Sequence, residues 1–254
     1  MSDPILTSRI DLNADLGEGY PNDERLLQVV SSCSIACGGH VGDADTMRTA
    51  LQLAKRYGVN AGAHPSYPDR EGFGRRELDI DMEDLRESVS EQLGALAEIA
   101  AEEGAPLMHV KPHGALYHAA ARNPQLANLL AEATARIARA PALMGPPMGE
   151  MVAAAQRCGL AYVPEGFADR AYTSEGGLVP RGEPGAVLET DVARTEQAIS
   201  LARSGRVTTP NGERIALNIQ TICLHGDTNG AAESAEAIRG ALLEEGIAVI
   251  APNG

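Results

Sequence analysis

Short polar clusters recur along this chain, and each one directly follows an apolar run that is typical of a β-strand. The clusters fall at residues 15–18, 38–40, 63–66, 111–114 and 225–227. In a parallel βα architecture the carboxyl ends of all strands lie on one face, so residues far apart in the sequence meet there. The pattern therefore predicts one site built from many strand ends. Four of the six histidines fall in these clusters: His40, His64, His113 and His225.

Strand-like and helix-like segments alternate from end to end, which favours parallel βα units. Apolar runs predict strands at residues 10–14, 34–37, 59–63, 107–111, 142–145, 162–164 and 221–225. Apolar residues at helical spacing predict helices at residues 24–30, 45–57, 82–103, 125–139, 148–158, 191–204 and 231–245. We expect a single barrel-like domain over residues 1–254, with a flat doubly wound sheet as the alternative.

Residues typical of helix ends and turns support these boundaries. Asp81 is expected to cap the third helix, and the Asn-Gly pair within residues 209–213 predicts a hairpin turn. Five glycines are expected to terminate helices in the left-handed conformation: Gly58, Gly104, Gly159, Gly205 and Gly246.

The composition indicates a folded protein that binds neither nucleic acid nor anionic membranes. The chain has 254 residues, of which 44% are hydrophobic, enough to bury a full core. Its 35 acidic and 21 basic residues give a net charge of −14, which would repel polyanions. No apolar stretch approaches the roughly 18–20 residues of a membrane span, and the first residues lack the basic start of a signal peptide. We therefore expect a cytoplasmic location.

The four cysteines are too few and too widely spaced to indicate a disulfide framework. Cys33, Cys37 and His40 form a C-x3-C-x2-H string that can hold zinc, but no second ligand pair follows at finger spacing. Free cysteine is among the most buried residue types, so reduced, buried thiols are the favoured interpretation.

The first cluster offers carboxylates for metal or acid–base chemistry. Asp11, Asn13 and Asp15 share one face of the first strand, and Asp15 comes last, at the catalytic end. Asp15 can serve as a metal ligand or a general base, or it can simply cap the following turn. Glu18, three residues on, favours a functional role.

His40 and His64 follow neighbouring predicted strands and extend this set. One aspartate and two histidines at strand ends, here Asp15, His40 and His64, can hold a divalent metal with open positions. The same residues can also form a hydrogen-bonded site without metal.

Lys111 and His113 put an ammonium group beside an imidazole on one side of the chain. Such a pair suits stabilisation of an anion or oxyanion next to a proton carrier. The nearby charge also favours the neutral form of His113, which can act as a base. The chain has only one other lysine, Lys55, and arginine cannot replace a compact, titratable charge. A lysine that extends along the barrel rim is the structural alternative.

Two long loops, at residues 66–80 and 166–190, are expected to cover the site or to bind ligand. Their arginines can bind carboxylates or phosphates, although each one alone can equally be a solvated surface residue. No Walker phosphate-binding loop occurs, and neither do H-E-x-x-H, G-x-S-x-G or a complete G-x-G-x-x-G. Any nucleotide must be held by another route or by another chain. The loop arginines are Arg70, Arg75, Arg76, Arg170 and Arg181.

Five ordered motifs resemble those of the LamB/YcsF family. They are DLNADLGE at residues 11–18, GAHPSYP at 62–68, VKPHGALY at 110–117, EGFADRAY at 165–172 and HGDT at 225–228. The family commonly has Phe where Gly39 stands and Pro near Asn229. Neither departure removes a candidate catalytic group, but Gly39 is expected to reshape the pocket wall.

This resemblance implies a TIM-like (β/α)7 barrel of the glycoside hydrolase/deacetylase superfamily. It implies a 5-oxoprolinase activity, the opening of 5-oxo-L-proline to L-glutamate with hydrolysis of ATP to ADP and phosphate. Mg-ATP would be the co-substrate, a bound divalent metal is a further candidate, and two partner subunits, B and C, would take part. A homo-oligomer is another possible arrangement.

The resemblance also implies roles for individual residues. His64 or His113 would act as the base for water, and Lys111 would stabilise phosphate or oxyanion charge. Asp15 with His40 would hold a metal or orient water. The implied catalytic residues are Asp15, His64, Lys111, His113, His225 and Asp227, and the implied substrate-binding residues are Glu18, His40, Arg75, Glu165 and Arg170.

Two other functions would use the same residues. A metal-dependent deacetylase or amidohydrolase would act without ATP and would be sensitive to chelators. A non-catalytic binding subunit would tolerate the loss of His64 and Lys111.

Overall fold

The structure is a computed structural model, and it describes residues 8–224 and 230–252. The strands in these residues are Ser8–Leu16 (β1), Ser32–Ala36 (β2), Asn60–His64 (β3), His109–Val110 (β4), Ala142–Gly145 (β5), Tyr162–Phe167 (β6), Arg206–Thr208 (β7), Arg214–Ala216 (β8), Thr221–Leu224 (β9) and Ile247–Val249 (β10). The helices in these residues are Asp23–Leu27 (α1), Ala44–Tyr57 (α2), Met82–Glu103 (α3), Gly114–Arg122 (α4), Pro124–Ala135 (α5), Glu150–Arg157 (α6), Asp191–Ser204 (α7) and Ala231–Glu244 (α8).

Seven of the described strands close into a parallel barrel in the order β1-β2-β3-β4-β5-β6-β9. β1 pairs with β2 on one side and with β9 on the other, and this second pairing closes the sheet. β1 also extends beyond β9, so that its first three residues pair with β10. The predicted TIM-like (β/α)7 barrel is confirmed, and the flat doubly wound sheet is wrong.

The side chains of β1 alternate between the hydrophobic layer and the barrel interior. Leu12 is fully buried in the main hydrophobic cluster that includes residues of the surrounding helices. Asp11, Asn13 and Asp15 point the other way and contact side chains of β9, of β6 and of the residue after β4. Barrels of this kind usually have branched aliphatic side chains inside, whereas this interior contains a hydrogen-bonded polar network.

The helix ends agree with the sequence pattern. Asp81 caps α3 by accepting a hydrogen bond from the backbone N–H of Glu83. The five predicted glycines all have positive φ, either as the C-cap or one residue beyond it. None of the helices in the described ranges is both long and apolar enough to cross a membrane.

Two elements, α4 and β10, were not predicted from the sequence. α4 begins within the polar cluster at residues 111–114, which hid its helical pattern. β10 is only three residues long and adds to the start of β1. The turn expected at residues 209–213 does connect the antiparallel strands β7 and β8.

Candidate functional site

Eight of the predicted site residues line one cavity at the carboxyl ends of the barrel strands: Asp15, Glu18, His64, Arg75, Lys111, His113, Glu165 and Arg170. The cavity has a volume of about 640 Å³. Asp15 lies near the end of β1, His64 ends β3, Lys111 directly follows β4 and Glu165 lies in β6. The loops at residues 66–80 and 166–190 both contribute to the wall, as their length predicted. Their contributions include Arg75, Glu77, Arg170, Leu178 and Arg181.

The ammonium group of Lys111 lies at the centre of the polar network. Its Nζ is 2.6 Å from Oδ1 of Asp15 and 3.2 Å from Oε1 of Glu165. It also donates to Oδ1 of Asn13 at 2.9 Å and lies 3.5 Å from Sγ of Cys223. Lys111 is only 2% exposed, so it does not extend along the rim into water.

Lys111 and Asp15 form a charged pair in which Lys111 is buried and the Asp15 side chain is 17% exposed. Burial alone would lower the pKa of Lys111, but the charges of Asp15, Cys223 and Glu165 raise it well above 10.5. Burial would raise the pKa of Asp15, but His64 and Lys111 hold it well below 3.8. Removing one partner of such a buried pair typically costs about 3–5 kcal/mol.

Asn13 positions both Lys111 and Glu165. Its Oδ1 accepts from Lys111, and its Nδ2 donates to Oε1 of Glu165 at 3.0 Å and to Oγ1 of Thr221 at 2.7 Å. The Thr221 hydroxyl donates in turn to Asp11 at 2.6 Å. The sequence pattern put Asn13 and Asp11 on the same face as Asp15 but assigned neither a role. Their shared face was the signal that could have identified them.

Glu18 and three histidines form a second cluster beside this network. One potential ligand atom of each lies within 4.8 Å of the others. Nε2 of His64 is 3.0 Å from Nδ1 of His113, and Oε1 of Glu18 is 3.1 Å from Nε2 of His40. The same Glu18 oxygen is 3.4 Å from His113 and 3.9 Å from His64. Ligand atoms around a tetrahedral zinc ion lie roughly 3.3 Å apart, so the spacing suits a divalent cation.

Two hydrogen bonds determine which ring nitrogens carry protons in this cluster. Nδ1 of His64 lies 2.7 Å from the carbonyl oxygen of Lys111, and Nε2 of His113 lies 2.9 Å from that of Phe73. A carbonyl oxygen only accepts, so both nitrogens donate. In the neutral rings the remaining nitrogens therefore direct lone pairs at each other across 3.0 Å. A proton or a metal cation must lie between them, and backbone carbonyls often orient metal-binding histidines in this way.

His40 has a different position in the cluster. Its ring stacks on that of His113 with the centroids 3.8 Å apart and the planes at 1°. Ring-nitrogen lone pairs lie in the ring plane, so two stacked rings cannot both point at one ion. Glu18, His64 and His113 are thus the set that can hold an ion in this arrangement. Three protein ligands with an open position are typical of catalytic zinc sites.

Burial favours the neutral forms of His40 and His113. Burial, together with the charge of His64, lowers the pKa of His40 and of His113 to about 3. Burial and the nearby Asp15 raise the pKa of Glu18. Asp15, expected from the sequence to join His40 and His64 as a ligand, lies outside the four-residue cluster and pairs with Lys111. Its Oδ2 is nevertheless 3.3 Å from Nε2 of His64.

The loop at residues 66–80 packs directly onto the histidines. Phe73 has φ of 54°, which is uncommon for a bulky residue. Its carbonyl accepts from His113, and its ring centroid lies 5.2 Å from that of His40. A Cβ at Gly74 would come within 2.9 Å of His113 and 3.0 Å of His40, so glycine permits this close approach.

Gly39 makes room for a buried amide behind His40. A Cβ at Gly39 would lie 2.4 Å from Oε1 of Gln92 and 2.5 Å from Oγ of Ser66. Gln92 in turn bonds both the backbone N–H and the carbonyl of Ser66, each at 2.9 Å. An aromatic side chain at position 39 has no space in this arrangement. Gly39 therefore leaves the space that Gln92 and Ser66 occupy behind His40.

The two predicted substrate-binding arginines both line the cavity. Arg170 is 3% exposed and donates to the carbonyl oxygens of Val179 at 2.6 Å and Ala186 at 3.3 Å. Burial, together with Arg181, lowers its pKa. The guanidinium carbon of Arg75 lies 5.0 Å from the centroid of the Phe73 ring.

Three further predictions concern His225, Asp227 and the cysteines. His225 and Asp227 lie outside the described residues.

Cys33 and Cys37 are buried, and burial raises the pKa of the Cys37 thiol to about 12. No cysteine belongs to the metal-competent group found among the described residues. The C-x3-C-x2-H string thus contributes only His40 to that group.

The fold defines a class, the TIM-like parallel βα barrels. A family 4 carbohydrate esterase from Streptomyces lividans matches with a TM-score of 0.51 and 12% identity, over 96% of this chain and 92% of that chain. A GH113 beta-1,4-mannanase also matches with a TM-score of 0.51 and 12% identity, over 92% of this chain and 99% of that chain. At this identity the likeness concerns the fold alone.

Within this class, the chain belongs to the LamB/YcsF family, whose profile matches residues 10–253. It is similar to the lactam utilization protein from Thermus thermophilus, with 38% identity and a TM-score of 0.90. That match covers 96% of this chain and 100% of the other. The resemblance seen in the sequence motifs is therefore confirmed at the level of the family.

Proposed function

We propose that this chain is the lactam-opening subunit of an ATP-dependent 5-oxoprolinase, which converts 5-oxo-L-proline to L-glutamate. The observation that carries the proposal is the buried Lys111, Asp15 and His64 network in a member of the LamB/YcsF family. Similarity to a lactam utilization protein supports a cyclic amide as the substrate.

The chemistry of the substrate explains the need for ATP. A five-membered lactam is a stabilised amide that water attacks slowly. Transfer of the terminal phosphoryl group of Mg-ATP to the lactam oxygen gives ADP and an activated ring carbon. Addition of water and cleavage of the C–N bond then give an acyl phosphate, whose hydrolysis yields glutamate and phosphate.

The residues of the network suit these steps. Nδ1 of His64 donates to the carbonyl of Lys111, so the basic lone pair of the ring is on Nε2, 3.0 Å from Nδ1 of His113. The proton of the attacking water can be taken up there and shared between the two rings. His113 is the alternative base. The Lys111 ammonium stabilises negative charge on the phosphoryl group or on the tetrahedral oxygen, and its burial strengthens this effect. Arg75 or Arg170, on the cavity wall, would bind the substrate carboxylate.

Nucleotide binding and partners belong to the same proposal. The chain has no Walker motif, so we assign Mg-ATP binding to a site shared with subunits B and C or held by them. Reconstitution tests this division: glutamate and ADP are measured from 5-oxoproline and Mg-ATP with the chain alone, with B and C alone, and with all three. Turnover only with all three supports the proposal. Competent partners that turn over equally well without this chain would contradict it.

A metal-dependent amidohydrolase is the second candidate, and the facing lone pairs of His64 and His113 favour it. Glu18, His64 and His113 would hold a divalent cation, with Asp15 beside them. When bound, such a cation polarises a carbonyl group and activates water, without any need for ATP.

Metal analysis separates the two candidates without relying on turnover. The amidohydrolase predicts about one equivalent of a divalent cation per chain, lost in His64→Gln and retained in His118→Gln, which lies outside the cluster. It also predicts ATP-independent activity that a chelator abolishes. Metal-free protein that is fully active with B, C and Mg-ATP would remove this candidate.

A further inference from the structure

Two polar atoms on the cavity wall are buried and have no hydrogen-bond partner. They are the hydroxyl oxygen of Tyr117 and Oε2 of Glu165. Tyr117 is 6% exposed and Glu165 is 1% exposed, and both residues line the cavity. Leaving a buried polar atom unpaired costs about 1–3 kcal/mol, and each such case in a native structure calls for an explanation. Two of them on one wall indicate ligand-binding groups.

The other carboxylate oxygen of Glu165, Oε1, already accepts two hydrogen bonds. Its Oε1 accepts from Nζ of Lys111 at 3.2 Å and from Nδ2 of Asn13 at 3.0 Å. These bonds orient the carboxylate and leave Oε2 as the open acceptor. Tyr117 supplies a donor close to this acceptor, since burial, the charge of Glu165 and the proximity of the phenol to that carboxylate raise the pKa of the phenol well above 10.

An apolar surface adjoins this donor and acceptor. Phe167 packs edge-on against Tyr117, with the ring centroids 6.0 Å apart, and Leu178 packs against the cluster that these two residues form with Cys223. Phe167 and Leu178 also line the cavity. The wall thus combines an acceptor, a donor and a surface suited to ring methylene groups.

The ligand edge that fits an acceptor beside a donor is a cis amide. A small lactam ring holds its N–H and C=O on the same side, so both can face one wall. An ordinary open-chain amide is trans and directs these two groups in opposite directions.

We propose that Glu165 and Tyr117 recognise the cis-amide edge of the substrate, with Glu165 accepting the ring N–H and Tyr117 donating to the ring carbonyl. This inference rests on the proposed function and narrows its substrate class to cyclic amides with an unsubstituted nitrogen. After ring opening the same nitrogen becomes an ammonium group, which the Glu165 carboxylate also favours.

Binding affinities test the inference without requiring turnover. Dissociation constants are measured by calorimetry or ligand-observed NMR, with and without subunits B and C and in the absence of ATP. The ligands are 5-oxoproline, N-methyl-5-oxoproline, 2-piperidone and succinimide. The proteins are the wild type, Tyr117→Phe and the matched control Tyr162→Phe, whose hydroxyl donates to the Pro146 carbonyl away from the cavity.

We expect the wild type to bind 5-oxoproline at least about tenfold more tightly than its N-methyl analogue, which cannot donate to Glu165. Tyr117→Phe should weaken 5-oxoproline binding about tenfold, and Tyr162→Phe should leave it within about twofold. Comparing the affinities of 5-oxoproline and its N-methyl analogue tests the contact of the ring N–H with Glu165. The protein is unchanged in this comparison, so the contact between Glu165 and Lys111 is kept.

The outcomes distinguish the inference from the proposed function. If 5-oxoproline binds and neither Tyr117→Phe nor N-methylation matters, the inference is overturned and the proposed function stands. If only another cyclic amide binds, with the same dependence on Tyr117, the inference stands and the proposed substrate is replaced. If folded wild-type protein binds none of the cyclic amides, both are overturned.

Discussion

Asp11 is the carboxylate of the barrel interior whose ionisation most clearly opposes folding. It is 1% exposed and accepts hydrogen bonds from Ser31 and Thr221, each at 2.6 Å. Burial nevertheless raises its pKa from 3.8 to about 6. Between about pH 4 and pH 6 the folded state therefore binds this proton more tightly than the unfolded state, and stability falls as the pH rises through this range. A shift of about 2 pKa units corresponds to about 3 kcal/mol.

We expect the free energy of unfolding of Asp11→Asn to increase relative to that of the wild type as the pH rises. The amide cannot ionise, so the variant avoids the cost of burying a charge at pH 7, and this advantage should shrink by up to about 3 kcal/mol at pH 4. Urea unfolding of both proteins at pH 4, 5.5 and 7 measures the difference. An identical stability difference at all three pH values would contradict a raised pKa for Asp11.

At this scale the sequence indicated which residues meet, but it could not show how they pair. Asp15, His64 and Lys111 were predictable because each lies at or next to the carboxyl end of a predicted strand. Their pairing depends on how far side chains reach across the barrel, which adjacent sequence does not encode. Asp15 pairs with Lys111, whereas Glu18 takes the position beside the histidines that the sequence had assigned to Asp15.

The secondary structure elements were more predictable than their exact ends. Helices such as α3 have long apolar repeats and clear caps, so their bounds agree with the pattern. The sequence predicts a five-residue strand at 107–111, but β4 spans only two residues. Only His109 and Val110 pair with both β3 and β5. α4 and β10 were missed because one begins in a polar cluster and the other is too short to show a pattern.

Close packing between β3 and β4 gives a test at the scale of elements. A Cβ at Gly62 in β3 would lie 2.3 Å from the ring of His109 in β4, and His109 is fixed by a 3.0 Å contact with Ser34. Gly62→Ala should therefore destabilise the protein by about 1–3 kcal/mol. Chemical denaturation of the variant and the wild type measures this.

Gly94 in α3 provides the matched comparison, since it is exposed and no atom lies within 4 Å of the position that a Cβ would take there. Gly94→Ala should stabilise the helix by about 0.5–1 kcal/mol, because alanine favours helical backbone more than glycine does. If Gly62→Ala left the stability unchanged or raised it, as Gly94→Ala should, the packing of β3 on β4 described above would be wrong.

The whole molecule depends on one pairing that local sequence could not reveal. Alternating strands and helices predict parallel βα units, yet they fit both an open sheet and a barrel. The pairing of β1 with β9, more than 200 positions apart in the sequence, closes the barrel. Closure brings Asp15, Lys111 and Glu165 within contact distance, so the site exists only in the complete barrel.

The proposed ATP-dependent opening of the lactam in this barrel requires Lys111 to contact the reacting groups. The most direct measurement follows glutamate and ADP together in the assembly with subunits B and C, while only this chain is varied. Lys111→Met is compared with Lys55→Met, which removes the other lysine of the chain. Lys55 lies at the surface, where its ammonium group donates to the Glu103 carbonyl.

We predict equal amounts of glutamate and ADP for the wild type and for Lys55→Met. For Lys111→Met, folded as judged by circular dichroism and still bound to its partners, we predict that glutamate formation falls about 100- to 1,000-fold, as expected for loss of one charge-stabilising group. Glutamate formation by Lys111→Met at close to the wild-type rate would contradict the account.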